Sequence, residues 1–269
     1  MLRKILQLGM LCISMQSFAA VTESQAAHQT PYPCENGTIL TYFKRPTVIT
    51  STCPVPYGQF SLESGVQFNE YFDKGEGWVY PQIKTRIGLP WRSELAILLP
   101  SEISNSRTQK MGLLPMALAL KHNLGFNEYW NSAVRFIYIP ASGSKHFGTT
   151  TDGYVLNGIA AYGTKTFNLT LMVGASSLGS SKINGGRRYT TFSPDVTLGW
   201  YAKNWLELYA EVYGQTRTEI DLKPGYNLNT GLLFLLNKYM AADVEIGKRI
   251  SGRLANINTY YGAGISFLL

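Results

Sequence analysis

The chain has 269 residues, 24 Lys and Arg against 17 Asp and Glu, a formal charge of +7, and only 15% charged residues. Its 13% aromatic content, with 26 glycines and 17 tyrosines, suits short strands and aromatic interfaces better than a helix-rich cytosolic enzyme. The basic excess comes with no basic helix or aromatic-basic sheet motif, which points away from nucleic acid, and after residue 20 no apolar run is long enough to cross a bilayer as a helix.

Residues 1–20 open on Arg3 and Lys4, continue through an apolar stretch from Ile5 to Phe18 interrupted by Gln7, Ser14 and Gln16, and end on Ser17, Ala19 and Ala20. This is the layout of a cleaved export signal. A membrane helix needs about 20 apolar residues, and this run is shorter and more polar. Cys12 lies inside it without the small residues that precede a lipoprotein site. Removing Arg3 and Lys4 with the signal leaves a charge of +5.

Residues 21–57 contain Cys34, Cys53 and the prolines Pro31, Pro33, Pro46, Pro54 and Pro56, with little periodicity. They read as a periplasmic N-terminal segment or a plug. In the oxidising periplasm Cys34 and Cys53 are expected to pair. Such a bridge would tether the segment at the periplasmic mouth, tuck it into a lumen, or merely stabilise a short extension.

From residue 58 to 269, stretches of about ten residues alternate with period 2 between turn residues. At Phe60 to Asn69, Phe60, Leu62, Val66 and Phe68 oppose Ser61, Glu63, Gly65, Gln67 and Asn69. At Asn204 to Tyr213, Leu206, Leu208, Ala210 and Val212 oppose Glu207, Tyr209, Glu211 and Tyr213, a pattern that a helix would scatter. Tyr239 to Arg249 sets Val244 and Ile246 against Asp243, Glu245, Gly247 and Arg249, and Tyr261 to Leu269 alternates to the last residue. The spans 58–69, 77–89, 91–99, 110–122, 129–140, 153–163, 165–175, 190–201, 204–214, 225–236, 238–248 and 258–269 predict an all-β fold, a 12-stranded antiparallel transmembrane β-barrel of a Gram-negative outer membrane. Tight links at Pro90, Thr164, Ala202 to Lys203 and Asn237, with a longer one at 123–128, alternate with longer connections at 70–76, 100–109, 141–152, 176–189, 215–224 and 249–257. Short periplasmic turns and long external loops produce that alternation, whereas a soluble sandwich has no reason to keep it. Outward rows such as Leu228, Leu232, Phe234 and Leu236, beside Phe167, Leu169, Leu171 and Val173, carry no charge, as lipid requires.

From Arg45 and Pro46 onward the order of features resembles a large group of outer-membrane β-barrel transporters named after the MetA-pathway of phenol degradation. The features are Gly58, Gln59 and Phe60, the Glu63 and Gly65 strand, the Pro90 and Trp91 turn, Ser193, Pro194 and Asp195 before an alternating strand, and Asn204 to Glu211. The resemblance covers about residues 45–269 and implies an outer-membrane channel or transporter for small solutes, hydrophobic or aromatic ones among them. Leu269 departs from the aromatic last residue common in barrels, while Ile265 and Phe267 keep the alternation.

The face assignment sends Glu63, Lys84, Arg86, Arg92, Glu94, Lys121, Arg135, Asp195, Glu207, Glu211, Asp243 and Glu245 into the lumen, with Tyr209, Tyr213 and Tyr260 as amphipathic walls. Two interpretations stand: ion pairs that fill a closed core, or a water-filled path whose charges sort solutes. Glu207 and Glu211 are the acidic groups of first interest, with Arg86, Arg92 and Arg135 as their expected counter-charges. Trp78, Trp91, Trp130, Trp200 and Trp205 fall near strand ends and read as interface anchors.

His28, His122 and His146 are scattered, so no metal site or cofactor is expected. Ser64 sits on a strand, away from any strand-to-helix elbow, and no enzyme is expected. The expected partners are outer-membrane lipid and lipopolysaccharide, a small-molecule solute, and the barrel-assembly machinery during insertion. External loops and adjoining strand ends, with Arg107, Lys110, Lys145, Lys182, Arg187, Arg188, Arg217, Arg249 and Arg253, suit the anionic lipopolysaccharide. The alternative function is a non-conducting structural or surface-binding barrel that acts through the loops 141–152 and 176–189.

Overall fold

The computed structural model describes Cys34 and residues 39–125, 127, 129–181, 185–219 and 223–269. The export signal expected at 1–20 and Lys182 lie outside these residues. Strands run over Phe60–Tyr71 (β1), Glu76–Leu89 (β2), Ser93–Leu98 (β3), Glu102–Asn105 (β4), Lys110–Leu113 (β5), Ala117–Asn123 (β6) and Trp130–Ile139 (β7). They continue over Gly153–Gly163 (β8), Phe167–Gly179 (β9), Arg188–Lys203 (β10), Leu206–Gln215 (β11), Gly225–Asn237 (β12), Met240–Ser251 (β13) and Ile257–Leu268 (β14).

Each strand pairs antiparallel with its neighbours, and β1 pairs with both β2 and β14, which closes the sheet. Closure extends to Leu269, whose amide donates to the Phe60 carbonyl at 2.8 Å while the Phe60 amide donates to the Leu269 carbonyl at 2.9 Å. A closed barrel leaves no edge with unpaired backbone groups, which is the condition for strands to stand in lipid.

The barrel has twelve staves, two of them interrupted. Both β3 and β4 pair with β2, and β5 and β6 pair back onto β4 and β3. The breaks fall at Pro100 and Pro115, which have no amide to give a ladder. Leu99 and Leu114 carry the pairing across them, their amides donating to the Ile83 and Ser101 carbonyls at 2.9 Å each. This corrects two expectations: residues 102–105 return to the sheet instead of belonging to a loop at 100–109, and the strand expected at 110–122 is two strands.

Alternation holds where the sequence was sharpest. On β11, Glu207, Tyr209 and Glu211 are buried while Ala210 and Val212 are exposed on the outer face. Outer-facing Leu228 and Leu236 stand on β12, and Phe167, Leu171 and Val173 on β9. These two rows are not adjacent, because β10 and β11 lie between them.

Residues 39–57 lie against the inner faces of the staves. A 3-10 turn at Ile39–Thr41 is followed by a turn closed by the Thr47 amide on the Lys44 carbonyl at 2.7 Å. Ile39, Leu40, Phe43 and Val55 pack on Tyr209, Leu233, Ala241 and Leu268, from β11 through β14. Ile49 packs on Ala133, Ile159 and Met172, on β7 through β9. The segment thereby spans the lumen from wall to wall, and a disulfide joins Cys34 to Cys53.

Phe43 is wholly buried. Truncating a buried phenylalanine costs about 3–5 kcal/mol, and here the loss falls on the contact between segment and wall. Phe43→Ala is expected to make residues 39–57 protease-sensitive while the barrel keeps its heat-modifiable mobility in gel electrophoresis.

Candidate functional site: the segment-filled lumen

Two charged walls face each other across the lumen. The first is a ladder of alternating sign on β1, β2, β3 and β6. Lys84 Nζ lies 3.0 Å from Glu63 Oε2, and Arg86 Nη1 lies 3.0 Å from Glu63 Oε1. Arg86 Nη2 is 2.7 Å from Glu94 Oε2, and Lys121 Nζ is 3.1 Å from Glu94 Oε1. Pairing explains the order, since Glu63 stands opposite Lys84 and Glu94 opposite Lys121 in the register. Arg86 is 1% exposed and Lys121 1%, so these ions are desolvated and depend on one another.

The inner segment completes the ladder with backbone groups. Arg86 donates to the Tyr42 carbonyl at 2.9 Å, and Lys121 donates to the Ser51 and Cys53 carbonyls at 2.9 and 3.0 Å. The Val55 amide donates to Glu94 Oε2 at 2.8 Å. Arg135, opposite Lys121, is half-buried on the same face.

The second wall is acidic: Asp195 on β10, Glu207 and Glu211 on β11, and Asp243 and Glu245 on β13. Its cations come from the segment. Lys44 Nζ lies 2.7 Å from Glu207 Oε1, and Arg45 Nε lies 3.3 Å from Asp243 Oδ2. Burial works against the Lys44 ammonium, but the Glu207 carboxylate outweighs it and raises the amine above its ordinary value. Glu211 receives the amides of Val48 and Ile49 at 3.1 and 3.0 Å, and Asn229 donates to both Glu211 and Glu245.

Arg45 lies in a niche cut by glycine. A Cβ at Gly65 on β1 or Gly264 on β14 would collide with its guanidinium. The freed space lets Arg45 donate to Gln82 Oε1 at 2.9 Å and to the Ala263 carbonyl at 3.0 Å.

The counter-charges expected for Glu207 and Glu211 are corrected. Arg86 serves Glu63 and Glu94 from β2, while Glu207 and Glu211 are served by Lys44 and two amides. Arg92 is exposed in the link between β2 and β3, at the rim of the barrel, because the chain turns there with positive φ at Trp91 and Arg92. Lys44 and Arg45 were missed as site residues, although consecutive cations in an otherwise uncharged stretch, residues 39–57, were a readable signal.

Tyr209 and Tyr260 are buried on the acidic wall, and the Tyr213 and Tyr260 hydroxyls meet at 2.9 Å. All five tryptophans are exposed, from 45% at Trp130 and Trp200 to 85% at Trp91. Ser93 Oγ lies 3.0 Å from His122 Nδ1 at the short-turn end. Ser93 Oγ also donates to the Trp91 carbonyl at 3.3 Å. Among the described residues no three His, Cys, Asp or Glu side chains are grouped to hold a metal.

No family model matches the sequence, and no curated protein matches it. Solved structures do. An outer membrane channel from Pseudomonas putida F1 is similar with a TM-score of 0.66 and 9% identity, over 83% of this chain and 100% of that one. The KdgM porin is similar with a TM-score of 0.54 and 11% identity, over 77% of this chain and 98% of that one. The NanC porin has the same TM-score, 0.54, and 11% identity. At these identities the likeness is one of fold, and the fold is that of the outer-membrane β-barrel porins and channels.

Removing one member of a buried ion network leaves its partners charged and unpaired, at a cost of about 3–5 kcal/mol. Arg86→Ala is expected to destabilise the folded protein by that amount in urea denaturation from detergent micelles. Arg135→Ala, at a half-buried position with no salt bridge among the described residues, is expected to cost under about 1 kcal/mol.

Proposed function

We propose that this protein is an outer-membrane channel or transporter for small solutes, and that residues 21–57 are the plug that controls its lumen. The observation that carries the reading is how the described part of this segment is held. It contacts both charged walls through Lys44, Arg45, the Val48, Ile49 and Val55 amides and the carbonyls of Tyr42, Ser51 and Cys53. These discrete hydrogen bonds and ion pairs, beside the apolar contacts of Ile39, Leu40, Phe43, Ile49 and Val55, give the segment one seat in the lumen, and a part held so leaves that seat as a unit. The disulfide between Cys34 and Cys53 restricts that movement by tying Cys53 back to Cys34 within the segment.

The resemblance to the transporters named after the MetA-pathway of phenol degradation supports hydrophobic or aromatic molecules as the solutes. Tyr209, Tyr213 and Tyr260 supply amphipathic surface for them on the inner face. The protein acts in this reading without catalysis and without a cofactor, with lipopolysaccharide around its external loops.

One observation favours a second reading, a non-conducting barrel that acts at its surface. The ladder and the segment bury most of their charged groups at under 10% exposure, as a sealed interior would.

Single-channel recording in planar bilayers separates the two. The oxidised protein is expected to open rarely, and reduction of Cys34–Cys53 is expected to raise the open time by about tenfold, equivalent to about 1.4 kcal/mol of plug attachment. Silence in both states, with heat-modifiability showing a folded and inserted barrel, favours the sealed reading.

A further inference from the structure

A cation ends the inner row of β13. Asp243, Glu245, Gly247 and Arg249 follow one another at period 2, and Arg249 stands opposite the buried Asn227 in the register. Tyr260 is paired with Gly247, and its ring lies where a Cβ of that glycine would be. The ring therefore stands between Glu245 and Arg249. Arg249 is set apart from the acidic wall, half-buried at the end of the barrel that carries the longer connections.

There it shares an aromatic ring with a second arginine. The guanidinium carbon of Arg253 lies 4.1 Å from the centre of the Phe72 ring and that of Arg249 lies 4.8 Å from it, both within cation–π range. The backbone is folded to bring them together. Gly252 has a positive φ, and a Cβ there would collide with the Pro224 carbonyl. Ala255 and Asn256 turn the chain again with positive φ, and the Asn256 carbonyl accepts from the Phe72 amide at 2.8 Å. The connection between β13 and β14 is thus pinned to the one between β1 and β2.

Neither arginine has an anion. Among the described residues the ion pairs are made by Lys44, Arg45, Lys84, Arg86 and Lys121. Arg249 has two long bonds to neutral acceptors, from Nε to Asn258 Oδ1 and from Nη1 to the Gly252 carbonyl, at 3.4 Å each. Asp73, beside Phe72 in the sequence, accepts from the Gly75 amide at 3.2 Å instead. Arg253 is exposed and Phe72 is 38% exposed, so the cluster meets solvent directly. Two like charges on one ring repel each other. The complementary group carries negative charge and only acceptors, and a carboxylate meets the planar guanidinium fork with two parallel hydrogen bonds. A lipid phosphate has the same chemistry, but Arg249 rises from the inward-facing row of β13, which favours a solute at the mouth of the lumen.

We propose that Arg249 and Arg253, carried on Phe72 at the mouth of the lumen, bind the carboxylate of an entering solute. This deepens the channel reading and rests on the lumen being the solute's path: it gives the solute an acidic group.

The test is calorimetric titration of the folded, heat-modifiable protein, in detergent free of lipopolysaccharide, with benzoate and with benzamide as a neutral probe of the same shape. Saturable benzoate binding is expected, tighter than that of benzamide by about tenfold or more. Arg249→Gln and Arg253→Gln are each expected to weaken it by about tenfold. Lys165→Gln, which removes an exposed cation at the opposite end of the barrel, leaves it unchanged. Equal binding of the two probes, no benzoate binding, or unchanged binding in Arg253→Gln overturns the site. If Arg249→Gln does not fold, Arg253→Gln, at an exposed loop position, decides with the two probes. Lipopolysaccharide binding that is lost in Arg253→Gln, with no benzoate binding, overturns the solute site and assigns the arginines to the lipid. Benzoate binding to a protein silent in bilayers leaves the site standing and removes the channel, whereas conductance without benzoate binding removes only the site.

Discussion

A barrel that must face lipid outside and hold charge inside has one governing constraint: each buried ion needs a partner within the closed sheet. The twelve staves supply part of the answer, because antiparallel register sets Glu63 against Lys84 and Glu94 against Lys121. The strands from β10 to β13 do not balance themselves. They bring five carboxylates to the inner face, and the cations that meet two of them, Lys44 and Arg45, arrive on the inner segment. The segment is thus part of the electrostatics of the barrel, and its seating and the stability of the acidic wall are one problem.

The same constraint explains why small residues matter inside. Gly65 and Gly264 make room for Arg45, so that its guanidinium lies over the two glycines and reaches Asp243. Gln82 and the Ala263 carbonyl each accept from one guanidinium nitrogen, which offsets part of the cost of burying it. Attachment of this kind gives the segment a single placement against the inner faces of the staves.

Much of the barrel was legible in the sequence, because period 2 is a local signal. Glu207, Tyr209 and Glu211 face inward on β11 as their alternation with Leu208, Ala210 and Val212 requires. The signs of the lumen charges were legible for the same reason. Their pairing was not, since Lys44 meets Glu207 across 163 residues of chain and aperiodic sequence carries no register. The interruption of β5 and β6 was visible in Pro115, a residue unable to donate within a strand, yet the apolar run around it suggested continuity. Arg92 was misplaced by extending alternation into a tight link, where positive φ at Trp91 and Arg92 ends the strand geometry.

The central claim is that the segment is docked in the lumen through its backbone amides on the barrel's carboxylates. Hydrogen exchange of the folded protein, read at Val48, Ile49 and Val55, tests it most directly. The account predicts protection of these amides comparable to that of the strands, lost at Val48 and Ile49 when Glu211 is replaced by alanine. Exchange at the rate of an unfolded peptide in the wild type would contradict it.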